Sequence, residues 1–176
     1  MTTEYLLNEQ VERVLACLTP DNRLAMRVAL HTGLRISDVL SLRTDDLKRG
    51  PRWWVRESKT GKRKLVALPK ELREDLLRYA GTTWVFPSRL DERKHRTRQA
   101  VWKDVKRAAV AFRIDREVNV GPHSARKVYA VRLMERYGDI VKVERALNHS
   151  DQSVTMIYAL ADKLLTDKAR KPRRRA

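Results

Sequence analysis

The first candidates for chemistry are His123 and Arg126, which follow Gly121 and Pro122. Residues at positions i and i+3 share one face of a helix, so both side chains should point the same way. The unpaired N–H groups and the positive dipole end at the start of such a helix favour a phosphate. Taken alone, a pair of this kind is most often a surface contact.

A second candidate is Arg35, which follows Gly33 and stands among the apolar residues of the segment 34–42. An arginine among core-forming residues needs an anionic partner, because an unpaired buried charge is costly. That partner is either an external anion or an internal acid such as Asp38. This segment alone leaves both possibilities open.

His149 and Tyr158 lie further along the chain. Asn148 suits the left-handed position that ends a helix, so His149 should project from a turn. Tyr158 by itself is typical of a half-buried core aromatic. A chemical role for either residue therefore depends on the other segments.

In combination, these segments resemble the tyrosine recombinase (phage integrase) family. The resemblance is carried, in the family's order, by Gly33-Leu34-Arg35-Ile36-Ser37-Asp38, Lys59-Thr60-Gly61-Lys62, Pro122-His123-x-x-Arg126, Leu147-x-His149 and Tyr158. It extends from about residue 8 to residue 163. Five elements at family-like spacings are far more specific than any one of them.

The resemblance implies a DNA strand transferase in which Tyr158 is the nucleophile. The tyrosine of the family attacks a phosphodiester, forms a 3′-phosphotyrosine and frees a 5′-hydroxyl. Arg35 and Arg126 match the arginines that hold the non-bridging oxygens of the scissile phosphate. Lys59 matches the lysine that protonates the leaving 5′-oxygen.

The resemblance implies supporting roles for three further residues. Two of them, His123 and His149, match family histidines linked to proton handling and to binding of the transition state. Asp38 matches an acid that supports the arginine cluster.

The chemistry agrees with this assignment. The five-coordinate transition state of a phosphodiester carries nearly two negative charges, which many nucleases neutralise with Mg²⁺ held by carboxylates. The sequence has no tight cluster of acids for that purpose, whereas two guanidiniums can bind the oxygens bidentately. Tyrosine needs such a cationic pocket or a nearby base, because its pKa lies near 10. We therefore expect no metal and no cofactor, ATP included.

The sequence departs from the family pattern at three points. Lys127 stands where many members have a histidine, and Asn148 replaces a glycine. The third departure is the position of the matched region, which starts almost at residue 1, whereas most members carry a DNA-clamping domain before it. We expect either an isolated fragment or a single-domain member, as among the fimbrial invertases.

Composition narrows the class of protein. The chain has 176 residues, 42% of them hydrophobic, which predicts one compact domain. Its 39 Lys and Arg against 22 Asp and Glu give a net charge of +17, which favours a polyanionic partner such as DNA. A single cysteine excludes an intrachain disulfide, and no apolar run is long enough to span a membrane, so we expect a cytoplasmic, DNA-associated protein.

The cations are clustered in residues 52–64, 89–107 and 168–176. Such runs are often solvated faces, but three of them on one small domain indicate a surface for double-stranded DNA. The residues we expect to contact DNA are Arg56, Lys62, Arg63, Lys64, Arg96, Arg98, Lys103 and Lys127.

The elements that must position these residues are mostly helices, so we predict a mainly α (α+β) fold. We expect helices from residue 8, from Pro20 to Gly33, from Ser37 to Leu42, from Pro69, and over about 97–113, 123–137, 139–147 and 151–163. Residues 53–55 and 65–68 should form an antiparallel hairpin, and residues 84–87 could add a third strand. The resemblance identifies residues 1–167 as a catalytic domain and leaves 168–176 as a flexible basic tail.

The leading hypothesis is a site-specific recombinase of a mobile element, of integrase, excisionase or invertase type, that assembles as a tetramer on DNA. One alternative is relaxation of supercoils with similar chemistry, as in type IB topoisomerases. The other is a DNA-binding module that kept the fold without turnover.

Overall fold

The computed structural model describes residues 5–116 and 118–147, most of which are helical. The helices are α1 (Asn8–Cys17), α2 (Pro20–Thr32), α3 (Ile36–Leu40), α4 (Thr44–Arg49), α5 (Lys70–Tyr79), α6 (Arg98–Ala111), α7 (Pro122–Tyr137) and α8 (Ile140–Leu147), with a 3-10 turn at Ile114–Arg116. The predicted mainly α fold is therefore confirmed. The helix predicted over 151–163 lies outside the described residues.

The ends of several helices follow from local chemistry. Pro20 occupies the first position of α2, where its missing N–H costs no hydrogen bond. Gly33 ends α2 in the left-handed conformation, with φ of 64°, and its N–H donates to the Ala29 carbonyl at 2.8 Å. Thr97 caps α6 by accepting a hydrogen bond from the Ala100 N–H.

The predicted hairpin is formed by β1 (Arg52–Arg56) and β2 (Arg63–Ala67), which pair antiparallel. Because successive side chains of a strand point to opposite faces, the register creates an inner and an outer face. The cross-strand pair Trp53 and Val66 is buried on the inner face, whereas the pair Trp54 and Leu65 is exposed on the outer face.

Residues 84–87 do not add a third strand, since the sheet in the described residues has two strands. Trp84 instead forms an isolated bridge with Arg43, and Pro87 forms another with His95. The segment is divided between these two separate partners, and Pro87 has no N–H to donate to a ladder. The predicted third strand is therefore wrong, and the segment is a loop packed on the core.

The buried residues are mainly aliphatic side chains of the helices. Leu18, Val28, Leu40, Leu76, Val101, Val105 and Leu147 are buried, and Leu15, Leu24 and Leu77 pack against the core while partly exposed. The tryptophans differ in their burial. Trp53 is buried, but Trp54 and Trp102 are exposed by 55% and 47%.

The chain divides into two compact units after Tyr129. The first unit holds α1 to α6, the hairpin and the first half of α7. In the second unit the structure describes residues 130–147, where Gly138 ends α7 with φ of 60°. Asp139 then caps α8, its Oδ1 accepting from the Val141 N–H at 2.9 Å. Within the described ranges, no helix combines the length and the apolar character that a membrane span requires.

Candidate active site

Arg35 stands at the turn between α2 and α3. Its backbone carbonyl accepts hydrogen bonds from the N–H groups of Asp38 and Val39, so Arg35, rather than Ser37, precedes the first residue of α3. Its side chain is only 11% exposed, and Nη1 lies 3.1 Å from Oε2 of Glu57. The internal partner of this largely buried arginine is therefore Glu57, an acid that the sequence motifs did not single out.

Arg126 reaches the same carboxylate from α7. Its Nη1 donates to the carbonyl oxygen of Gly33 and lies 3.6 Å from Oε1 of Glu57. Burial, followed by the charge of Arg35, lowers the pKa of Arg126, while Glu57 opposes them. The guanidinium stays charged, because the ordinary pKa of arginine is far above neutrality.

Glu57 directly follows β1, and the alternation of the strand explains its orientation. Trp53 and Val55 face inward, so the next residue but one, Glu57, faces inward as well. The Glu57 carboxylate is fully buried, and Oε2 also accepts a hydrogen bond from Thr60 Oγ1 at 2.9 Å. The same alternation, read from the sequence, would have predicted this buried acid.

Asp38 holds the turn of the hairpin. Its Oδ1 accepts hydrogen bonds from the backbone N–H of Ser58 at 2.9 Å and from Ser58 Oγ at 2.6 Å. These bonds connect α3 to Ser58, the residue that precedes Lys59. The Lys59 side chain itself is exposed. Asp38 is thus placed to fix the base of the lysine-bearing turn, and its charge also raises the pKa of Arg126.

His123 opens α7 one turn before Arg126 and keeps part of its side chain exposed. Loss of water around the ring is the first cause of a lowered pKa of His123, followed by the charges of Arg126 and Arg35. Lys59 acts in the same direction, so its positive charge also acts at this ring. A pKa below the ordinary 6.5 leaves His123 neutral at neutral pH and able to accept a proton.

Lys64, expected on the DNA surface, instead faces inward from β2 and is only 8% exposed. Its Nζ lies 5.1 Å from the centroid of the Tyr129 ring, and within the described residues it has no hydrogen-bond acceptor. Burial and the charge of Arg126 lower the pKa of Lys64 to about 8. Lys64 therefore belongs to the arginine cluster and not to the outer surface.

Arg96 also differs from expectation. It is buried, with Nε donating to Asn22 Oδ1 at 2.6 Å and Nη1 to Asp21 Oδ2 at 2.9 Å. Both acceptors lie in the first turn of α2, so the guanidinium ties the loop before α6 to that helix. These bonds hold the Arg96 guanidinium in the interior, where it is not available for a DNA contact.

The remaining cations expected to contact DNA are on the surface or partly buried. Arg56, Lys62, Arg63, Arg98 and Lys103 are exposed, and Lys127 is partly buried. Arg63 lies over the exposed ring of Trp54, with 5.2 Å between Cζ and the ring centroid. His149 and Tyr158 lie outside the described residues.

The described site is suited to binding an anion. The buried Arg126 and Lys64 and the largely buried Arg35 outnumber the carboxylates of Glu57 and Asp38, and the charge of Lys59 acts at the nearby His123. A single negative charge, such as that of a phosphodiester, would balance the one positive charge left in excess. Two guanidiniums in fixed positions also match the geometry of two phosphate oxygens.

Comparison with known proteins identifies the family. The model of the phage integrase family matches residues 4–164 of the chain. The chain belongs to the phage integrase family. This confirms the family predicted from the sequence motifs, whose members of known activity include the tyrosine recombinases.

Curated members of the phage integrase family are similar over most of the chain. The probable integrase/recombinase YoeC of Bacillus subtilis (strain 168) is 30% identical over 146 residues, which cover 81% of this chain and 78% of that protein. Tyrosine recombinase XerD of Bradyrhizobium diazoefficiens is 32% identical over 148 residues, covering 76% of this chain and 46% of that protein. The chain thus spans about half the length of this XerD.

Solved structures of other family members share the fold. The XerH site-specific recombinase, in a post-cleavage complex with a palindromic difH substrate, matches 96% of this chain and 53% of that one with a TM-score of 0.73 at 23% identity. A lambda integrase dimer bound to a COC′ core site matches with a TM-score of 0.72 at 21% identity, and this chain corresponds to 52% of that one. The predicted recombinase-type fold is therefore confirmed.

Proposed function

We propose that this protein is a site-specific DNA recombinase that cleaves and rejoins DNA through a 3′-phosphotyrosine, without metal or ATP. The observation that supports this most directly is the pairing of Arg35 and Arg126 around one buried carboxylate. In family order, these arginines flank the turn that carries Lys59. A non-catalytic module would have no need to keep every residue type of this site.

In the proposed reaction, the phenolic oxygen of Tyr158 attacks the phosphorus and the bond to the 5′-oxygen breaks. The phenolic proton passes to a neutral histidine, for which His123 and His149 are the candidates. Lys59 gives a proton to the leaving 5′-oxygen, so a 5′-hydroxyl is released. Rejoining reverses these steps with a 5′-hydroxyl as the nucleophile, and the phosphotyrosine conserves the bond energy.

The arginines would act on the transition state. Charge grows on the non-bridging oxygens as the fifth ligand approaches phosphorus, and fixed guanidiniums then stabilise it more than they stabilise the ground state. Asp38 would keep the turn of Lys59 in place through Ser58. Lys64 would add a buried positive charge that interacts with the charge of Arg126.

The proposed partner is double-stranded DNA, contacted by Arg56, Lys62, Arg63, Arg98, Lys103 and Lys127. A homo-oligomer on DNA, a tetramer during strand exchange, is the arrangement that joins two sites. It is supported by relatives whose structures are DNA complexes, one of them a dimer. We propose residues 1–167 as the catalytic domain, 168–176 as a basic tail, and the cytoplasm as the location.

A covalent trap tests the function. The protein is incubated with a library of nicked duplexes in which the released 5′-end diffuses away, and protein bound to DNA after denaturation is sequenced. We expect a recurrent cleavage sequence and no adduct from Tyr158→Phe. Absence of an adduct across the library would favour the DNA-binding module, and relaxation of a plasmid without exchange between two recovered sites would favour the topoisomerase alternative.

A further inference from the structure

The Glu57 carboxylate lies between the two arginines. Oε2 is 3.1 Å from Nη1 of Arg35, and Oε1 is 3.6 Å from Nη1 of Arg126, so each oxygen faces a different guanidinium. No motif of the family resemblance contains this residue, and Asp38, which that resemblance assigns to the arginine cluster, hydrogen bonds to Ser58 instead. Glu57, which joins the two arginines, takes part in no step of the proposed reaction.

Burial indicates which side of the arginines Glu57 occupies. The Glu57 side chain is 0% exposed, whereas Arg35 and Arg126 keep 11% and 9% of their side chains exposed. The carboxylate thus lies behind the guanidiniums, away from solvent. A guanidinium has five N–H donors, so pairing with one carboxylate oxygen does not exhaust those of Arg35. A phosphate approaching from solvent would meet the arginines and not the acid.

The backbone and a neighbour hold Glu57 in place. Its N–H donates to the Lys62 carbonyl and its carbonyl accepts from the Gly61 N–H, each at 2.9 Å, which closes the turn of the hairpin. Thr60 Oγ1 donates to Oε2 at 2.9 Å. The carboxylate is therefore fixed to the same six-residue turn that presents Lys59.

We propose that Glu57 is a positioning residue that holds Arg35 and Arg126 in one fixed relation to each other and to Lys59. The inference rests on the proposed function, in which each arginine binds one non-bridging oxygen of the scissile phosphate. The relative position of the two arginines then determines which oxygen each of them binds. Glu57 itself does not touch the phosphate. The negative charge of Glu57 weakens the attraction between the arginines and the phosphate in the ground state. The fixed positions that Glu57 gives to the arginines compensate for this loss by stabilising the transition state.

The first test measures the arginines without DNA. In the full chain, rotation about the Cζ–N bonds of a paired guanidinium is slow, so its Nη groups give separate resonances in nitrogen-detected NMR spectra. We expect separate resonances for Arg35 and Arg126 in the wild type and in Glu12→Gln, an exposed glutamate of α1. Glu57→Gln should merge those of Arg35, whose Nη1 pairs with this carboxylate, whereas Arg126 keeps its hydrogen bond to the Gly33 carbonyl. Separate Arg35 resonances retained in folded Glu57→Gln would overturn the proposal.

The second test uses the duplex recovered by the covalent trap. We expect Glu57→Gln to lower kcat for adduct formation by about 10- to 100-fold with an unchanged or lower KM, because transition-state stabilisation is lost while ground-state attraction is not. Sulfur in place of either non-bridging oxygen gives two diastereomers, and their rate ratio should move towards one. A faster reaction would identify Glu57 as a brake that phosphate displaces, and an unchanged ratio would exclude a positioning role.

A milder variant covers the case in which Glu57→Gln does not fold. Thr60→Val removes only the hydroxyl that donates to Oε2, and it should shift the same resonances and the same rate ratio to a smaller degree. No shift in a folded Thr60→Val variant would then count against the proposal. If the wild type forms no adduct, the proposed function fails, while the NMR measurement still decides whether Glu57 orders the arginines.

Discussion

The two faces of the β1–β2 hairpin carry similar residues in different surroundings. On the outer face, Arg63 lies over the exposed ring of Trp54, and Arg56 hydrogen bonds to the Gly61 carbonyl at its exposed position. On the inner face, Lys64 is buried over Tyr129 beside the arginines that Glu57 pairs. One residue along a strand thus separates a solvated cation from a desolvated one.

This difference shows what positive charge can do at each place. An exposed cation attracts DNA at long range, is screened by salt, and can be replaced by a neighbour. A buried cation costs free energy unless partners hold it, and those partners fix its position. The outer face is therefore suited to affinity, and the inner face to the geometry of a reaction.

The largest contrast is expected between Arg126→Lys and Arg63→Lys. A lysine at 126 has no planar fork with which to reach the Gly33 carbonyl, Glu57 and a phosphate together. We expect adduct formation on the trapped duplex to fall about 10²- to 10³-fold. Arg63→Lys, with the same change at the outer face, should stay within about threefold. Equal losses would remove the distinction between the faces.

The stability of the inner site depends on Gly33, whose carbonyl receives Arg126. A Cβ at Gly33 would overlap the Tyr129 ring, in addition to the strain of φ at 64°. Gly33→Ala should lower the free energy of unfolding by about 3 kcal/mol in urea denaturation. Gly138 has a similar φ of 60° and, among the described residues, nothing within 4 Å of such a Cβ.

Gly138→Ala is therefore the matched control, with an expected loss of about 1 kcal/mol from backbone strain alone. If Gly138→Ala and Gly33→Ala lowered the free energy of unfolding equally, the Tyr129 ring would have to move aside without cost.

A pH series separates Lys64 from the exposed lysines. The pKa of Lys64 in the folded protein is about 8, below the ordinary 10.5, so the folded state binds fewer protons between these values. Folding therefore releases a proton in this range, so the free energy of unfolding increases as the pH rises from 8 to 10.5. Relative to Lys64→Met, the wild type should gain about 3 kcal/mol between pH 7 and 10.5.

The exposed Lys62 provides the control for this series. Lys62→Met should change the free energy of unfolding by less than about 0.5 kcal/mol at either pH. A pH-independent effect of Lys64→Met would contradict the burial of a charged group at that position.

The smallest effects are expected at the outer face. Arg56→Gln and Arg63→Gln should each reduce the slope of log K against log salt for a generic duplex by about 0.9, the value for one phosphate contact. Arg96→Gln should leave this slope unchanged and instead lower stability, because it breaks the buried pair with Asp21. A reduced slope for Arg96→Gln would mean that Arg96 contacts DNA.

Local signals predicted the elements well. Pro20 and Gly33 define the ends of α2, and the alternation around Gly61 predicts the hairpin, because these effects act within a few residues. The motif order also placed Arg35 and Arg126 in one site, and their approach to a single carboxylate agrees with it.

Long-range pairing could not be read from the sequence in the same way. Arg96 belongs to a basic run, yet its partners Asp21 and Asn22 lie more than seventy residues earlier. Residues 84–87 have the composition of a strand, but Trp84 pairs with Arg43, about forty residues earlier in the chain, in an isolated bridge. Such choices depend on the tertiary structure, which periodicity and composition do not contain.

The pairing of Arg56 with Arg63 limits how the hairpin can evolve. If a deletion in the turn shifted β2 by one residue, Lys64 would turn towards solvent and Leu65 would take its place beside the arginines. Glu57 would then face two guanidiniums without the third cation. Viable relatives should therefore change the length of this turn by even numbers of residues, or compensate an odd change with a bulge.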